Sequence, residues 1–284
     1  MSIITFWTEI EKEIGQTSSA IAVATQMAME HNSKILLLTT YNRNEIRNAF
    51  WKKEEEERKK NLFSSLSKQA ATQVGFNNGM EGIMMEISSN RLMADHITNY
   101  TKIIFKNRLE VLAGANVSEN EYRKEVFGAY IELIKKASQY YDYVIVDLNK
   151  EMNPIVEELL NMSTIIAYGI NQKNGNLEKF TNSLRNGFLQ NKFNIVPYIG
   201  RYDKFSKYSQ KNISRTTKVK RIEIVPYNTL FAESCDEGVA AEYFMKMSTV
   251  TGVDRNVEFI ADVKKFVEAL LYKEQELKMN HGRK

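Results

Sequence analysis

Short apolar runs alternate along the chain with longer stretches whose apolar residues recur at helical spacing. Residues 3–7, 34–40, 109–113, 143–148, 164–170, 194–199 and 221–225 are mostly apolar at successive rather than alternate positions. Strands read this way when helices cover both faces of their sheet. Residues 18–30 are rich in Ala and Met at helical spacing, and 121–137 place Val126, Tyr130, Leu133 and Ile134 on one face. Strands alternating with crossover helices predict an α/β fold, a mostly parallel sheet of about seven strands with helices on both faces.

The connection between the second and third strands, residues 41–108, is long and reads as a helical insertion. It contains the charge run KKEEEERKK at 52–60, in which Glu and Lys four apart support a solvated helix. Gly75, Gly79 and Gly82 interrupt that pattern, and Ile97, Tyr100, Ile104 and Phe105 predict a further helix before the third strand. A closing helix over 257–278 carries Phe259, Ile260, Val263, Phe266, Val267, Leu270 and Leu271 on one stripe. Such a stripe docks on the core, or lies on a membrane or a partner. No internal repeat and no Pro- or Gly-rich linker divides the sequence, so residues 1–284 read as one domain.

Composition narrows the class. A chain of 284 residues with 43% hydrophobic side chains, 39 basic and 35 acidic groups has material for a large core and is not a disordered polymer. The net charge of +4 is mild and selects no partner. Cys235 is the one cysteine, which excludes an intrachain disulfide and a cysteine-based zinc site and suits a reducing compartment. The opening MSIITFWTEIEKE has acids where a signal peptide needs basic then apolar residues, and no apolar run approaches about 18 residues. A cytoplasmic protein is expected. His31, His96 and His281 lack a second ligand at metal spacing, and no serine lies in a GxSxG elbow. Asp236 and Glu237 beside Cys235 raise a thiol pKa, so nucleophilic catalysis has no support.

In doubly wound sheets the loop after the first strand binds phosphates, because backbone N–H groups and a helix N-terminus converge there. Here residues 8–18, TEIEKEIGQTS, occupy that place. A GxxxxGK[ST] loop would need Gly at 10 and Lys at 16, which are Ile10 and Gln16; Gly15 and Thr17 remain. Further along come YDYVIVD at 141–147, TIIAYGI at 164–170, GRYD at 200–203 with YSQKNI at 208–213, and IVPYN at 224–228 followed by Glu233, Glu237 and Gly238.

Taken in order, these segments resemble the MinD/ParA-type P-loop ATPases, and within them the CpaE/TadZ-like pilus-assembly group. The resemblance covers nearly the whole chain, although no single motif is intact. It implies a nucleotide site at Lys12, Gly15, Gln16, Thr17, Ser18, Arg201 and Pro226, with magnesium at Thr17 and, through water, Asp147. It also implies a homodimer, protein partners in a pilus, secretion or partitioning system, and a place at the inner face of the membrane.

The departures fall on the chemistry. The family's signature lysine aligns with Glu11, its two loop glycines with Lys12 and Glu13, and its adenine-reading asparagine with Gly200. One carboxylate at about 5 Å from a phosphate costs roughly 3 kcal/mol at an effective dielectric of 20. The second strand ends Leu38-Thr39-Thr40-Tyr41-Asn42 without an acid, and Leu148-Asn149-Lys150-Glu151 replaces the usual Thr-Pro switch. A degenerate site is therefore expected, with weak or absent binding of ATP and magnesium, negligible hydrolysis, and a role in localisation or assembly. Two alternatives stand beside it. One is an active partitioning ATPase that uses Lys12 as its phosphate lysine. The other is a DNA-binding module built on 201–221, where Tyr202, Phe205 and Tyr208 interleave with Arg201, Lys204, Lys207 and Lys211.

Overall fold

The computed structural model describes residues 1–10, 14–40, 45–52, 79–115, 125–252 and 254–281. The chain runs β1 (Ser2–Trp7), α1 (Gln16–Glu30), β2 (Ile35–Thr39), α2 (Glu45–Phe50), α3 (Gly79–Ser88), a 3-10 turn (Asp95–Tyr100), β3 (Lys102–Phe105) and β4 (Leu109–Leu112). It continues through α4 (Glu125–Ala137), β5 (Tyr143–Asp147), α5 (Pro154–Met162), β6 (Ile165–Ile170), α6 (Asn174–Asn186) and β7 (Ile195–Tyr202). It ends with α7 (Gln210–Thr217), β8 (Glu223–Pro226), α8 (Thr229–Glu237), α9 (Ala240–Met247) and α10 (Arg255–His281).

The strands form one sheet in the order β3-β4-β2-β5-β1-β6-β7-β8, parallel at every pairing except β3 with β4. All six residues of the central β1 are buried because each face has its own core. Ile3 and Trp7 join one apolar cluster with Leu133, Tyr168 and Phe180, while Ile4 and Phe6 join the other with Ile21, Tyr198 and Phe266. Each such side chain, buried fully, contributes about 1.5–3 kcal/mol. The polar exceptions are paired: Thr5 Oγ1 lies 2.6 Å from Ser163 Oγ.

One expectation sharpens and one changes. The sheet has eight strands rather than about seven. The added strand is β3, at the place where a helix carrying Ile104 and Phe105 was expected. There Arg108 N–H donates to the Phe105 carbonyl at 2.9 Å and Asn107 takes φ 60°, closing a turn that folds β3 back on β4. Ile97 is buried in the preceding 3-10 turn, so the four apolar residues never share a helix face. Within residues 201–221, Arg201 and Tyr202 end β7, a turn follows, and α7 begins at Gln210. Of the charge run at 52–60, residues 53–60 lie outside the described residues, as do Gly75 and Lys12.

The closing stripe docks on the core. Phe259, Val263, Phe266, Val267 and Leu270 are buried where α10 packs on α1 and β8. Among the described residues no helix is long and apolar enough to cross a membrane.

Candidate functional site

The loop leaving β1 is pinned to the top of the sheet. Thr8 Oγ1 donates to the Gly169 carbonyl at 2.8 Å and accepts from Ile10 N–H at 3.0 Å. Glu9 accepts from Tyr168 Oη at 3.3 Å and from Ser183 Oγ at 3.1 Å. Ile10 and Ile14 are buried in the core, where an open phosphate cradle would carry backbone alone. A Cβ on Gly169 would stand 2.7 Å from Ile14 Cγ2, and one on Gly200 would fall on the Ile14 carbonyl oxygen. Gly200 is thus a glycine because the loop lies directly on β7.

Gly15 then takes φ 65°, a left-handed turn suited to glycine, and α1 starts. Its carbonyl accepts from Ser18 Oγ at 3.0 Å and from Ser19 N–H at 2.9 Å. The next two side chains turn down rather than out. Gln16 Nε2 donates to Asp147 Oδ1 at 2.7 Å and to the Leu148 carbonyl at 2.8 Å, and Thr17 Oγ1 donates to Asp147 Oδ2 at 2.8 Å. Thr39 Oγ1 is 3.4 Å from the same Oδ2. Burial pushes the Asp147 carboxyl up to about 6; the Gln16 and Thr17 hydrogen bonds oppose that shift, Glu45 adds to it and Lys150 reduces it.

Above this floor lies a cleft of about 680 Å³. Gly15, Gln16, Thr17 and Ser18 line it together with Arg201 and Pro226, so six of the predicted site residues meet there. Lys12, the seventh, lies outside the described residues. Asp147 does not line the cleft; it sits fully buried beneath Gln16 and Thr17. Glu45 and Asn48 from α2, Lys150 after β5, and Phe231, Cys235 and Asp236 from α8 also line it. β2 ends without an acid, and the first turn of α2 brings Glu45 back to the cleft. Burial, and then Asp236, push the Cys235 thiol up to about 12, which disfavours the thiolate.

A magnesium ion fits this arrangement poorly. Both Asp147 oxygens already accept from protein donors, Gln16 Nε2 on Oδ1 and the Thr17 hydroxyl on Oδ2, and the carboxyl is fully buried beneath them. Among the described residues no group of three or more His, Cys, Asp or Glu gathers as a metal site.

The basic stretch bends over the outside. Gln172 clamps the turn after β7, its Nε2 donating to the Asp203 and Tyr208 carbonyls at 2.9 Å and its Oε1 accepting from Asp203 N–H at 2.7 Å. Phe205 is 88% exposed at the tip. Lys204 pairs with Glu258 at 3.3 Å and Arg221 pairs with Glu223, so part of the positive charge is already neutralised.

No protein-family model matches the sequence, and no curated protein sequence is significantly similar to it. Solved structures share the fold. A ParA family ATPase from Chlorobium tepidum superposes with TM-score 0.67 at 14% identity, covering 94% of this chain and 98% of that one. A septum site-determining protein MinD from Pyrococcus horikoshii, complexed with Mg-ADP, gives TM-score 0.58 at 13% identity, with 96% and 99% covered. A plasmid partition protein from Borrelia burgdorferi bound to AMPPNP gives 0.56 at 15%, with 99% of each chain covered. The architecture is therefore that of the MinD/ParA-type P-loop NTPases.

Proposed function

We propose that this chain is a degenerate MinD/ParA-like protein that works as a localisation or assembly factor and hydrolyses ATP at a negligible rate. The observation that carries the reading is the Gln16 side chain. At the position of the loop lysine stands a neutral amide, and it is turned away from any phosphate onto Asp147 and the Leu148 carbonyl. A phosphate chain in the cleft would lack that charge, and magnesium would find its outer-sphere carboxylate engaged. Ile10 and Ile14, which flank residues 11–13, bury their side chains in the core.

What the fold retains is a rigid sheet, a cleft and the surfaces around it. Resemblance to the pilus-assembly group makes the process the positioning of a pilus or secretion apparatus at the inner face of the membrane, through protein partners. The nucleotide-bound neighbours support a nucleotide-sized cleft. The chain acts as a homodimer whose association does not depend on nucleotide, because Glu11 stands where the family's signature lysine would reach a partner's phosphates. Sedimentation equilibrium with and without Mg-ATP tests this: the account predicts the same dimer constant in both. A dimer formed only with ATP, or a monomer in both, contradicts it.

A further inference from the structure

We propose that the outward row of cations along α7, with the exposed rings of Phe205 and Phe193 at its two ends, is a docking surface for an acidic helical segment of a partner protein. The proposal rests on the reading above, that this chain works through protein partners, and gives that partner a chemistry.

From Lys179 to Ile222 the sequence carries eleven basic residues and one acid, Asp203, a local charge of +10 in a chain whose total is +4. The fold gathers the densest part of this excess on one stripe. Ile213 and Thr217 are the buried residues of α7, so Lys211, Arg215 and Lys218, spaced four and three apart, lie on its opposite, solvent side. Lys207 precedes them by one turn and Lys220 follows, both exposed. Among the described residues none of these five makes an ion pair. Elsewhere on the surface lysines are matched with acids, as Lys264 is with Glu30, Lys265 with Asp262 and Lys273 with Glu276. Stability does not account for the whole row. Arg215 and Lys218 suit the negative end of the helix, but Lys207 and Lys211 stand at its positive end, and like charges one turn apart repel.

Both ends of the row carry a ring. Phe205, in the turn before α7, is 88% exposed and Phe193, in the turn before β7, is 80% exposed, the two highest values for large apolar side chains among the described residues. β7 and β8 run parallel with Tyr198 beside Glu223, so the turn of Phe193 enters the sheet next to Lys218 and Lys220, at the far end of α7 from Phe205. Neither turn is free. Gln172 clamps the first, while in the second Asn191 takes φ 63° and Lys192 Nζ donates to Asn161 Oδ1 at 3.1 Å. Eight residues of β7 at about 3.3 Å each set the ends about 26 Å apart, the length of a helix of about 17 residues. The acids nearby are engaged: Glu258 by Lys204, Asp203 by the Phe205 N–H at 2.9 Å, and Glu178 of the neighbouring α6 by Asn174 at 2.7 Å. A row centred on one helix fits a linear anion better than a lipid plane, although Lys179 and Arg185 widen it on α6. Two exposed rings fit a polypeptide with apolar side chains better than a duplex, whose outer face is phosphate.

The test is fluorescence anisotropy of a labelled peptide of about 18 residues, built from Leu-Glu-Glu repeats, titrated with the full chain. Poly-glutamate of the same length, duplex DNA and phosphatidylserine vesicles serve as competitors. Two double variants change exposed side chains only: Lys211→Glu with Arg215→Glu, and Phe193→Ser with Phe205→Ser. The expected result is peptide binding that falls about tenfold or more on charge reversal and about threefold or more on loss of the rings, with poly-glutamate bound more weakly and indifferent to the rings. Absence of peptide binding, binding that survives either double variant, or tighter binding of poly-glutamate, DNA or vesicles overturns the proposal. Such a failure leaves the non-hydrolysing reading intact, whereas magnesium-dependent ATP turnover contradicts that reading whatever the peptide does.

Discussion

Asp147 ends a buried strand, so its charge must be held by neighbours rather than by water. Folding raises its pKa from 3.8 to about 6, with burial outweighing the Gln16 and Thr17 hydrogen bonds. Between those values the native state keeps a proton that the unfolded chain has lost, so this group's contribution to stability falls as pH rises through that window. The full difference is roughly 3 kcal/mol, at about 1.4 kcal/mol per unit. An Asp147→Asn variant keeps an acceptor for Gln16 and a donor for Thr17 and cannot ionise. Its stability relative to the native chain, from urea denaturation at a series of pH values, is expected to improve by that amount between pH 4 and 7; parallel profiles contradict the assignment. Much of the site was legible at this scale, because Gly15, Gln16, Thr17, Ser18, Arg201 and Pro226 do line one cleft. The direction of the Gln16 side chain was not, since its partner is 131 residues away in sequence. Gly200 read as a lost asparagine, and only the Ile14 carbonyl lying on it shows why no side chain fits.

At the scale of elements, α10 closes one face of the sheet. Phe266 meets Phe6 at 5.9 Å and Tyr198 at 5.0 Å between ring centroids and is fully buried. Phe266→Ala removes a ring from that contact and is expected to cost about 3–5 kcal/mol, measured by denaturant unfolding. A loss under about 1 kcal/mol would mean that the helix is not docked. Strands β1, β5 and β6 were legible because two cores bury every residue but Tyr143 and leave a nearly unbroken apolar run. The edge strand β3 was not: its burial is partial and Ile103 is 58% exposed, so the segment Lys102–Phe105 carries no two-sided signal. Its β-branched pair followed by Lys106 and Asn107 was the available hint of a hairpin.

At the scale of the whole molecule, an eight-stranded sheet carries a cleft floored by Gln16 and Thr17 over Asp147. The fold is shared over nearly the full length with nucleotide-binding relatives at 13–15% identity, a level at which shape persists while chemistry is free to diverge. The mild net charge of +4 conceals this, because the basic turn after β7 and the acids around the loop and cleft offset one another in the sum. We propose that the remaining cleft does not turn over ATP, because a neutral amide, Gln16, stands at the position of the loop lysine and closes on Asp147. Steady-state phosphate release from the purified full chain with Mg-ATP tests this most directly. The prediction is a rate indistinguishable from that of buffer alone and unchanged in Thr17→Ala; sustained magnesium-dependent turnover that Thr17→Ala abolishes would contradict it.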